Sequence, residues 1–335
     1  MKILITGAGG FLGFHIAKAL VEKGHEVTNF SRQHYTNLDG IGVKSIQGDL
    51  RDREAVEDAV HDQDAIFHVA SKVGVWGSYQ DFYDINVKGT KNVILAAKRE
   101  NIDKLIFTSS PSAIFGVENL CGVDENYPYP EKYVSHYAKT KALAEKEVLR
   151  AHDPKRLKTI ALRPHLVYGP GDHNLIPRVI NKAKRNKLKI IGRGDNIVDV
   201  LYIDNAVHAH LLALEKLDTD SKVGGQAFFI SQEKPVRLWD FINTILDKNK
   251  FSKVNSRVPF AVAYGIGFLL EKLMFWSQNE PPLTRFVALN LSKSHYFNNR
   301  KSQKLLGYQP IIGLEDSLER TTSWMADSGL SNITK

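Results

Sequence analysis

The chain has 335 residues, of which 43% are hydrophobic and 24% charged, and it carries a formal net charge of +8. These proportions are typical of a folded globular protein and exclude a disordered chain, a collagen-like repeat and a bundle of membrane-spanning helices. Cys121 is the only cysteine, which excludes an intrachain disulfide, and no Cys/His pair has the spacing of a zinc site, so we expect no bound metal.

Apolar runs alternate with amphipathic segments through the first two thirds of the chain. Helical patterns lie between most of these runs, for example at 11–24 and 85–101. Strand–helix–strand units at this spacing form right-handed crossovers and give a parallel sheet with helices on both faces. We therefore predict an α/β fold with a doubly wound parallel sheet. The predicted buried strands are 2–6, 26–31, 43–49, 65–70, 104–109 and 159–164.

The pattern changes after about residue 170, where a turn cluster is followed by a basic helical stretch at 181–189 and by shorter pieces at 198–217 and 227–231. We predict that residues 1–170 form mainly the sheet. Residues 171–330 would form mainly a smaller lobe, with some segments returning to the sheet. The apolar stretch 258–276 is interrupted by charges, which favours a buried or pocket-covering helix over weak contact with a membrane surface.

The sequence TGAGGFLG at 6–13 joins the first predicted strand to the first helix. Gly7 permits a tight turn, Gly10 lets a pyrophosphate approach the backbone at the start of the helix, and Gly13 lets the helix sit close to the sheet. The alternative is a glycine turn that binds no ligand. The position of these glycines between a strand and a helix favours dinucleotide binding over that alternative. We therefore predict a dinucleotide site that includes Phe11 and Leu12, the two residues between the last glycines.

The end of the second strand discriminates between nicotinamide cofactors. An acidic residue there favours NAD, whereas an arginine accommodates the additional phosphate of NADP. This chain has Ser31 and Arg32 at that point and no acid. We therefore favour NADP(H) over NAD(H), the alternative being that Arg32 is a solvated loop residue. Asp49 is placed to hydrogen-bond the adenine, and Leu50 and Ala70 complete the predicted cofactor site.

Tyr137 and Lys141 stand four residues apart in a segment with helical periodicity, so they share one helix face. A cation beside a tyrosine favours the phenolate and brings the tyrosine pKa closer to neutral pH, as proton transfer requires. The alternative is an ordinary exposed pair. Ser110 follows the fifth strand, where a hydroxyl could orient a substrate carbonyl, and Ser112 is the second choice.

Several motifs together resemble the extended short-chain dehydrogenase/reductase superfamily, a Rossmann-type fold, and within it the 3β-hydroxysteroid dehydrogenase branch. They are TGAGGFLG at 6–13, GDL at 48–50, TSS at 108–110, YAKTK at 137–141 and LRPHLVYGPGD at 162–172. WGSY at 76–79 and PPLTRF at 281–286 further resemble bacterial 2-alkyl-3-oxoalkanoate reductases of olefin biosynthesis.

The resemblance implies a role for each matched residue. Tyr137 would be the general acid, Lys141 would lower its pKa and hydrogen-bond the nicotinamide ribose, and Ser110 would hold the carbonyl. Asn86 would support the structure. A homodimer in the cytoplasm is expected, and the first residues lack the long apolar segment of a secretory signal.

The leading hypothesis is an NADPH-dependent ketoreductase acting on a large apolar substrate, either a 2-alkyl-3-oxoalkanoate or a 3-keto/3β-hydroxysteroid. Arg163 or Arg178 could bind a substrate carboxylate. The alternatives are a nucleotide-sugar epimerase or dehydratase with tightly bound NAD, and a non-catalytic NADP-sensing protein. Nucleic-acid binding is not expected, because no aromatic platform accompanies the basic run. Candidate substrate contacts, chosen by position alone, are Trp76, Tyr79, Tyr83, His165 and His173.

Overall fold

The computed structural model describes residues 1–277 and 279–329, so Gln278 and Leu330 of the predicted smaller lobe lie outside the described residues. The strands are β1 (Lys2–Thr6), β2 (Glu26–Ser31), β3 (Lys44–Gln47), β4 (Ala65–His68), β5 (Lys104–Thr108), β6 (Leu120–Val123), β7 (Lys158–Pro164), β8 (Val167–Tyr168), β9 (Ile190–Ile191), β10 (Ile197–Val198), β11 (Leu201–Tyr202), β12 (Gln226–Ile230), β13 (Val236–Arg237), β14 (Arg257–Val258) and β15 (His295–Phe297). The α-helices are α1 (Phe11–Glu22), α2 (Thr36–Asp39), α3 (Arg53–Val60), α4 (Tyr79–Tyr83), α5 (Gly89–Arg99), α6 (His136–Arg150), α7 (Leu175–Lys184), α8 (Ile203–Thr219), α9 (Leu238–Lys248), α10 (Phe260–Leu273), α11 (Arg285–Ser292) and α12 (Leu314–Asp327).

A seven-stranded parallel sheet forms the centre of the molecule, in the order β12-β7-β5-β4-β1-β2-β3. The chain starts in the middle of this sheet, since Ile3 pairs with Val27 on one side and with Ala65 on the other. Strand order runs outward from β1 in both directions, which is the doubly wound topology. The predicted fold class is therefore confirmed, with strand ends that differ from the predicted ones by a few residues.

Helices cover both faces of the sheet. The core cluster on one face contains Ile3 and Ile5 of β1 with Ala206 and Ala213 of α8. The cluster on the other face contains Leu4 of β1 together with residues of α3, α5 and α6. Burial on both faces explains why these strands are apolar at successive positions and do not alternate with polar residues.

Two later parts of the chain return to this sheet. Strand β12 pairs with β7 in parallel register, from Gln226 opposite Ile160 to Ile230 opposite Pro164. Further along, Tyr308 is buried in the same core cluster as β1. The sheet is therefore built from segments of both halves of the chain.

In the second half of the chain, α7, α9 and α12 contribute to one hydrophobic cluster that contains the buried side chain of Trp239. A four-stranded sheet, β13-β10-β15-β6, joins strands of this second half to β6 of the first half. The basic helix predicted at 181–189 begins and ends earlier than expected: α7 spans Leu175–Lys184, and Asn186 adopts a left-handed backbone with φ of 51°. A residue in this conformation ends a helix.

The prediction that 258–276 is buried or covers a pocket is wrong. Helix α10 does form there, but only Ala263 and Gly267 of it are buried, and most of its large apolar side chains face solvent. The periodicity of an apolar run identifies a helix but does not say which partner covers it. In the described residues, no helix is both long and apolar enough to cross a membrane.

Candidate active site

The carboxyl ends of the central strands border a cleft of about 680 Å³. This is the position at which ligands bind in open α/β sheets. Every residue predicted for the cofactor or for proton transfer lines it. These residues are Gly7, Gly10, Phe11, Leu12, Gly13, Ser31, Arg32, Asp49, Leu50, Ala70, Ser110, Ser112, Tyr137 and Lys141.

The glycine loop forms one wall of the cleft and leaves no room for side chains. Gly7 has φ of 81°, and a Cβ there would lie 2.8 Å from the Cα of Ala70. A Cβ on Gly13 would lie 2.2 Å from the carbonyl oxygen of Gly7, so α1 can approach the loop only with glycine at this position. Gly10 caps α1 without a side-chain hydrogen bond, which leaves the first amides of the helix open to an anion.

Arg32 and Asp49 lie at the end of the cleft beside β2 and β3. The side chain of Arg32 is exposed and has no hydrogen bond or ion pair within 1–277 and 279–329. Asp49 is held by Arg51 through two bonds, Nε to Oδ1 at 3.0 Å and Nη2 to Oδ2 at 2.6 Å, and these contacts lower its pKa. The open amides at one end and the unpaired guanidinium at the other fit a phosphorylated dinucleotide.

Helix α6 carries Tyr137 and Lys141 to the opposite wall. The Lys141 ammonium is buried and donates a hydrogen bond of 2.6 Å from Nζ to the carbonyl oxygen of Thr108. Burial lowers the pKa of Lys141 to about 7, while the charge of Glu145 opposes this change. Burial therefore brings the pKa of this lysine close to neutral pH.

Burial raises the pKa of Tyr137, and hydrogen bonds with Ser110 and Ser112 partly oppose the increase. The helical spacing and the resemblance both predicted that Lys141 would lower the pKa of Tyr137, but its ammonium is instead turned to the Thr108 carbonyl. The serine hydroxyls therefore keep the phenol oriented in the cleft as a proton donor.

Ser110 and Ser112 act as a linked pair. Ser110 precedes a single 3₁₀ turn, Pro111–Ile114, and its Oγ accepts hydrogen bonds from the Ser112 amide at 3.2 Å and from the Ser112 Oγ at 2.9 Å. Pro111 suits the first position of this turn because it has no amide hydrogen to satisfy. Both hydroxyls also lie within hydrogen-bond reach of Tyr137.

The two arginines predicted to bind a substrate carboxylate do not lie in the cleft. Arg163 is buried and forms a bidentate ion pair with Glu145, from Nη2 to Oε1 at 2.6 Å and from Nε to Oε2 at 2.9 Å. The hydroxyl of Tyr129 donates to the same carboxylate at 2.7 Å. Arg178 is on the surface, paired with Glu280. The role predicted for both arginines is wrong, because each already has a carboxylate partner in the protein.

Of the predicted substrate contacts, His165 and His173 line the cleft, whereas Trp76, Tyr79 and Tyr83 do not. The Trp76 indole instead donates from Nε1 to the carbonyl oxygen of Ser277 at 3.0 Å. The rings of Tyr79 and Tyr83 pack on each other with centroids 5.7 Å apart.

The lining residues Phe286 and Asn290 of α11 were missed by sequence reasoning. The segment 281–286 drew attention only through the resemblance. Roughly 150 residues separate this segment from the helix of Tyr137 in the sequence, so their proximity in the fold could not be inferred from a local pattern.

Two buried histidines form a hydrogen-bonded pair at the cleft wall. Nε2 of His295 lies 3.0 Å from the carbonyl oxygen of Asn290, so that nitrogen carries the proton. Burial lowers the pKa of His295 to about 4, so the ring is neutral and its Nδ1 can only accept. Nε2 of His165, 2.7 Å away, must then be the donor. Because burial also lowers the pKa of His165, its Nδ1 has no proton and can serve only as an acceptor.

Comparisons with known proteins agree with one another. The family model described as "3-beta hydroxysteroid dehydrogenase/isomerase family" matches residues 4–261. A 2-alkyl-3-oxoalkanoate reductase of Shewanella oneidensis is 43% identical over 94% of this chain and 84% of its own length. A human sterol-4-alpha-carboxylate 3-dehydrogenase, decarboxylating, is 36% identical over 96% of this chain and 87% of its own.

Solved structures support the same fold. The crystal structure of gox2253 superimposes with a TM-score of 0.80 at 25% identity, over 98% of each chain. MoeE5 in complex with UDP-glucose and NAD gives a TM-score of 0.76 at 22% identity, over 98% of this chain and 99% of that one, a similarity that shows the fold alone.

Proposed function

Because this chain belongs to the 3-beta hydroxysteroid dehydrogenase/isomerase family, whose members are oxidoreductases of the extended short-chain dehydrogenase/reductase class, we propose that it is an NADPH-dependent ketoreductase acting on a large apolar 3-oxo acid. The observation that carries the proposal is that the predicted cofactor residues and the predicted proton-transfer residues line the same cleft. One wall has open helix amides and bare glycines, and the facing wall has a tyrosine, two serines and a lysine. An anionic cofactor and a proton donor would meet there.

When bound, the reduced nicotinamide supplies a hydride to the carbonyl carbon of the substrate. The first amides of α1 and the Arg32 guanidinium would hold the phosphates of the cofactor. Ser110 and Ser112 hold the Tyr137 hydroxyl through hydrogen bonds, and a carbonyl oxygen at the same point would accept the tyrosine proton. The Lys141 ammonium, with a pKa of about 7, is the nearby group able to return a proton to the tyrosine.

The substrate class is supported by what two groups of relatives share. One name describes a 3-oxoalkanoate with an alkyl group at carbon 2, and the other a sterol with a carboxylate at carbon 4 and an oxidation at carbon 3. In both compounds the carboxylate lies one carbon away from the carbon that gains or loses hydride. The apolar rings of Phe115 and Phe286 in the cleft wall suit the hydrocarbon part of such a molecule.

A direct assay tests this proposal. We expect the purified protein to oxidise NADPH when a long-chain 2-alkyl-3-oxoalkanoate is added, and to turn over a 3-keto steroid acid more slowly. The measurement is the loss of NADPH absorbance together with mass-spectrometric detection of the 3-hydroxy acid. Turnover of a UDP-hexose with retained NAD, and none of the oxo acid, would contradict the proposal and support the epimerase alternative.

The proposed cofactor preference depends on Arg32. We expect Arg32→Ala to raise the Kd for NADPH by about 10- to 100-fold, the loss of a charge-assisted hydrogen bond, and to leave the Kd for NADH nearly unchanged. Fluorescence titration of the nicotinamide measures both values. Arg53→Ala is the control, since Arg53 is an exposed arginine of α3 that pairs with Glu57. Equal weakening of NADPH and NADH binding would contradict the assignment.

The homodimeric state and the cytoplasmic location of the protein remain predictions. A homodimer is expected from the resemblance, and light scattering of the purified full chain would measure it.

A further inference from the structure

The carboxyl group of the proposed substrate needs a partner in the cleft that the arginines do not provide. Arg163 and Arg178 bind carboxylates of the protein itself. Arg32 lies at the end of the cleft beside β2, and the Lys141 ammonium donates to the Thr108 carbonyl oxygen. The partner must therefore come from elsewhere in the lining of the cleft.

His165 lies where such a partner is needed, directly after β7. Strand β7 pairs with β5 in a register that places Leu162 opposite Thr108, so His165 and Ser110 leave neighbouring strands at the same edge of the sheet. The ring of Phe115, which follows the 3₁₀ turn after Ser110, packs against the His165 ring with centroids 5.7 Å apart. Since neighbouring strands lie about 4.8 Å apart, a carboxyl group one carbon away from a carbonyl at Ser110 can reach His165.

Nδ1 is the nitrogen of His165 that is left for a ligand. Nε2 is used in the bond to His295, and Nδ1 has no hydrogen-bond partner in the part of the chain that the structure describes. The direction of these bonds is set by the Asn290 carbonyl, which can only accept and so takes the proton of His295 Nε2. The neutral pair consequently has a lone pair, and no proton, at the nitrogen left for a ligand.

We propose that His165 binds the carboxyl group of the oxo acid and takes up one proton from solvent with it, an inference that rests on the proposed function and deepens it. A carboxylate and the Nδ1 lone pair repel each other, whereas a proton between them makes a charge-assisted hydrogen bond. In the free enzyme burial keeps the ring neutral, because a buried imidazolium without a counter-charge is costly. The carboxylate supplies that counter-charge, so acid binding and protonation each require the other.

This coupling makes His165 a specificity-determining residue. A ketone or ester of the same shape carries no charge and would bind without a proton. An acid would bind more tightly as the pH falls, because raising the pH removes the proton that joins its carboxylate to Nδ1.

Other titratable groups lie near His165 and need variants of their own. Asp199 follows β10, which pairs with the strand of the partner histidine, and burial raises the pKa of Asp199 to about 7. Burial also brings the pKa of Lys141 to about 7. Arg163, on the same strand as His165, is neutralised by Glu145. The other titratable groups in the neighbouring cleft wall are Lys72, Tyr137, Asp172 and His173.

Isothermal titration calorimetry of the full chain saturated with NADPH tests the proposal, with 2-hexyldecanoic acid as the probe. This acid has an alkyl group at carbon 2 but no 3-oxo group, so it cannot be reduced. Titration in two buffers of different ionisation enthalpy should give an uptake of about one proton per acid bound, and the Kd should rise by about tenfold per pH unit above about pH 6. The methyl ester of the probe should bind without proton uptake and with a Kd that does not change with pH.

His165→Asn is the main variant. The asparagine amide places an N–H donor near the position of Nδ1, so it can bind the acid without a proton, and the uptake and the pH dependence should disappear. His295→Asn keeps an acceptor for His165 Nε2 and should retain both. The matched control is His15→Asn, because His15 is another partly buried histidine, bonded to the Pro170 carbonyl, and does not line the cleft. This control and Asp199→Asn should take up the proton as the native chain does.

Four outcomes would overturn the proposal. They are absence of proton uptake by the native chain, retention of the uptake by His165→Asn, loss of acid binding in Lys72→Met with native behaviour in His165→Asn, and a tenfold weaker Kd for NADPH in His165→Asn. The third would identify Lys72 as the carboxyl partner, and the fourth would assign Nδ1 to the cofactor. Because the probe is not turned over, an enzyme that bound it with one proton but failed to reduce the oxo acid would contradict the proposed function alone.

Discussion

Tyr137→Phe is expected to lower kcat by about 10²- to 10⁴-fold, the usual contribution of a positioned general acid, with little change in the Kd for NADPH. The substitution removes only the hydroxyl, which the Ser110 and Ser112 side chains hold in the cleft. Because the ring stays, the packing of α6 should not change. Stopped-flow measurement of NADPH oxidation and cofactor titration separate the two effects.

Tyr83→Phe is the matched control for this prediction. Tyr83 is also partly buried, ends α4 and packs on Tyr79, but it does not line the cleft. Removal of the Tyr83 hydroxyl should leave kcat unchanged. If Tyr137→Phe retained the native kcat, the proton would come from another group and the proposed mechanism would fail.

Glu145→Ala is expected to lower the free energy of unfolding by about 3–5 kcal/mol, since it leaves the buried Arg163 guanidinium without its counter-charge. Replacing both partners, as Glu145→Gln with Arg163→Met, should recover much of this loss, because no unpaired charge then remains. Chemical denaturation of the apo protein measures both values.

Glu147→Ala provides the comparison on the same helix. Glu147 is a surface residue that pairs with Lys91 at 3.4 Å, and exposed pairs of this kind contribute about 0–1 kcal/mol. If Glu145→Ala lowered the free energy of unfolding by no more than Glu147→Ala does, the buried pair would not anchor α6. The anchor matters for catalysis, because the same helix carries Tyr137 and Lys141 to the cleft.

Much of the site could be predicted because its signals are local. The glycine spacing at Gly7, Gly10 and Gly13 depends on a strand and a helix that are adjacent in sequence. The pairing of Tyr137 with Lys141 depends on one turn of one helix. The position of Arg32, directly after β2, follows from counting along a single strand–helix–strand unit. Each of these residues lines the cleft.

The wrong predictions concern contacts between distant segments. Arg163 was taken as available for substrate because its partner Glu145, on another element, could not be identified from sequence spacing. The same limit applies to Trp76, whose acceptor Ser277 lies about two hundred residues away. For α10, the apolar pattern predicted a helix, but the side that would be covered depended on the Glu271–Arg285 contact.

The pairing of β12 with β7 affects how the protein is made. During translation, the edge of β7 emerges from the ribosome about sixty residues before the strand that covers it. Tyr308, which completes the packing of the same core, follows later still. Since an unpaired strand edge is a site of aggregation, the nascent chain is exposed to aggregation from the synthesis of β7 until that of β12. A gene fragment that stops near residue 170 would accordingly yield an insoluble product instead of an isolated nucleotide-binding module.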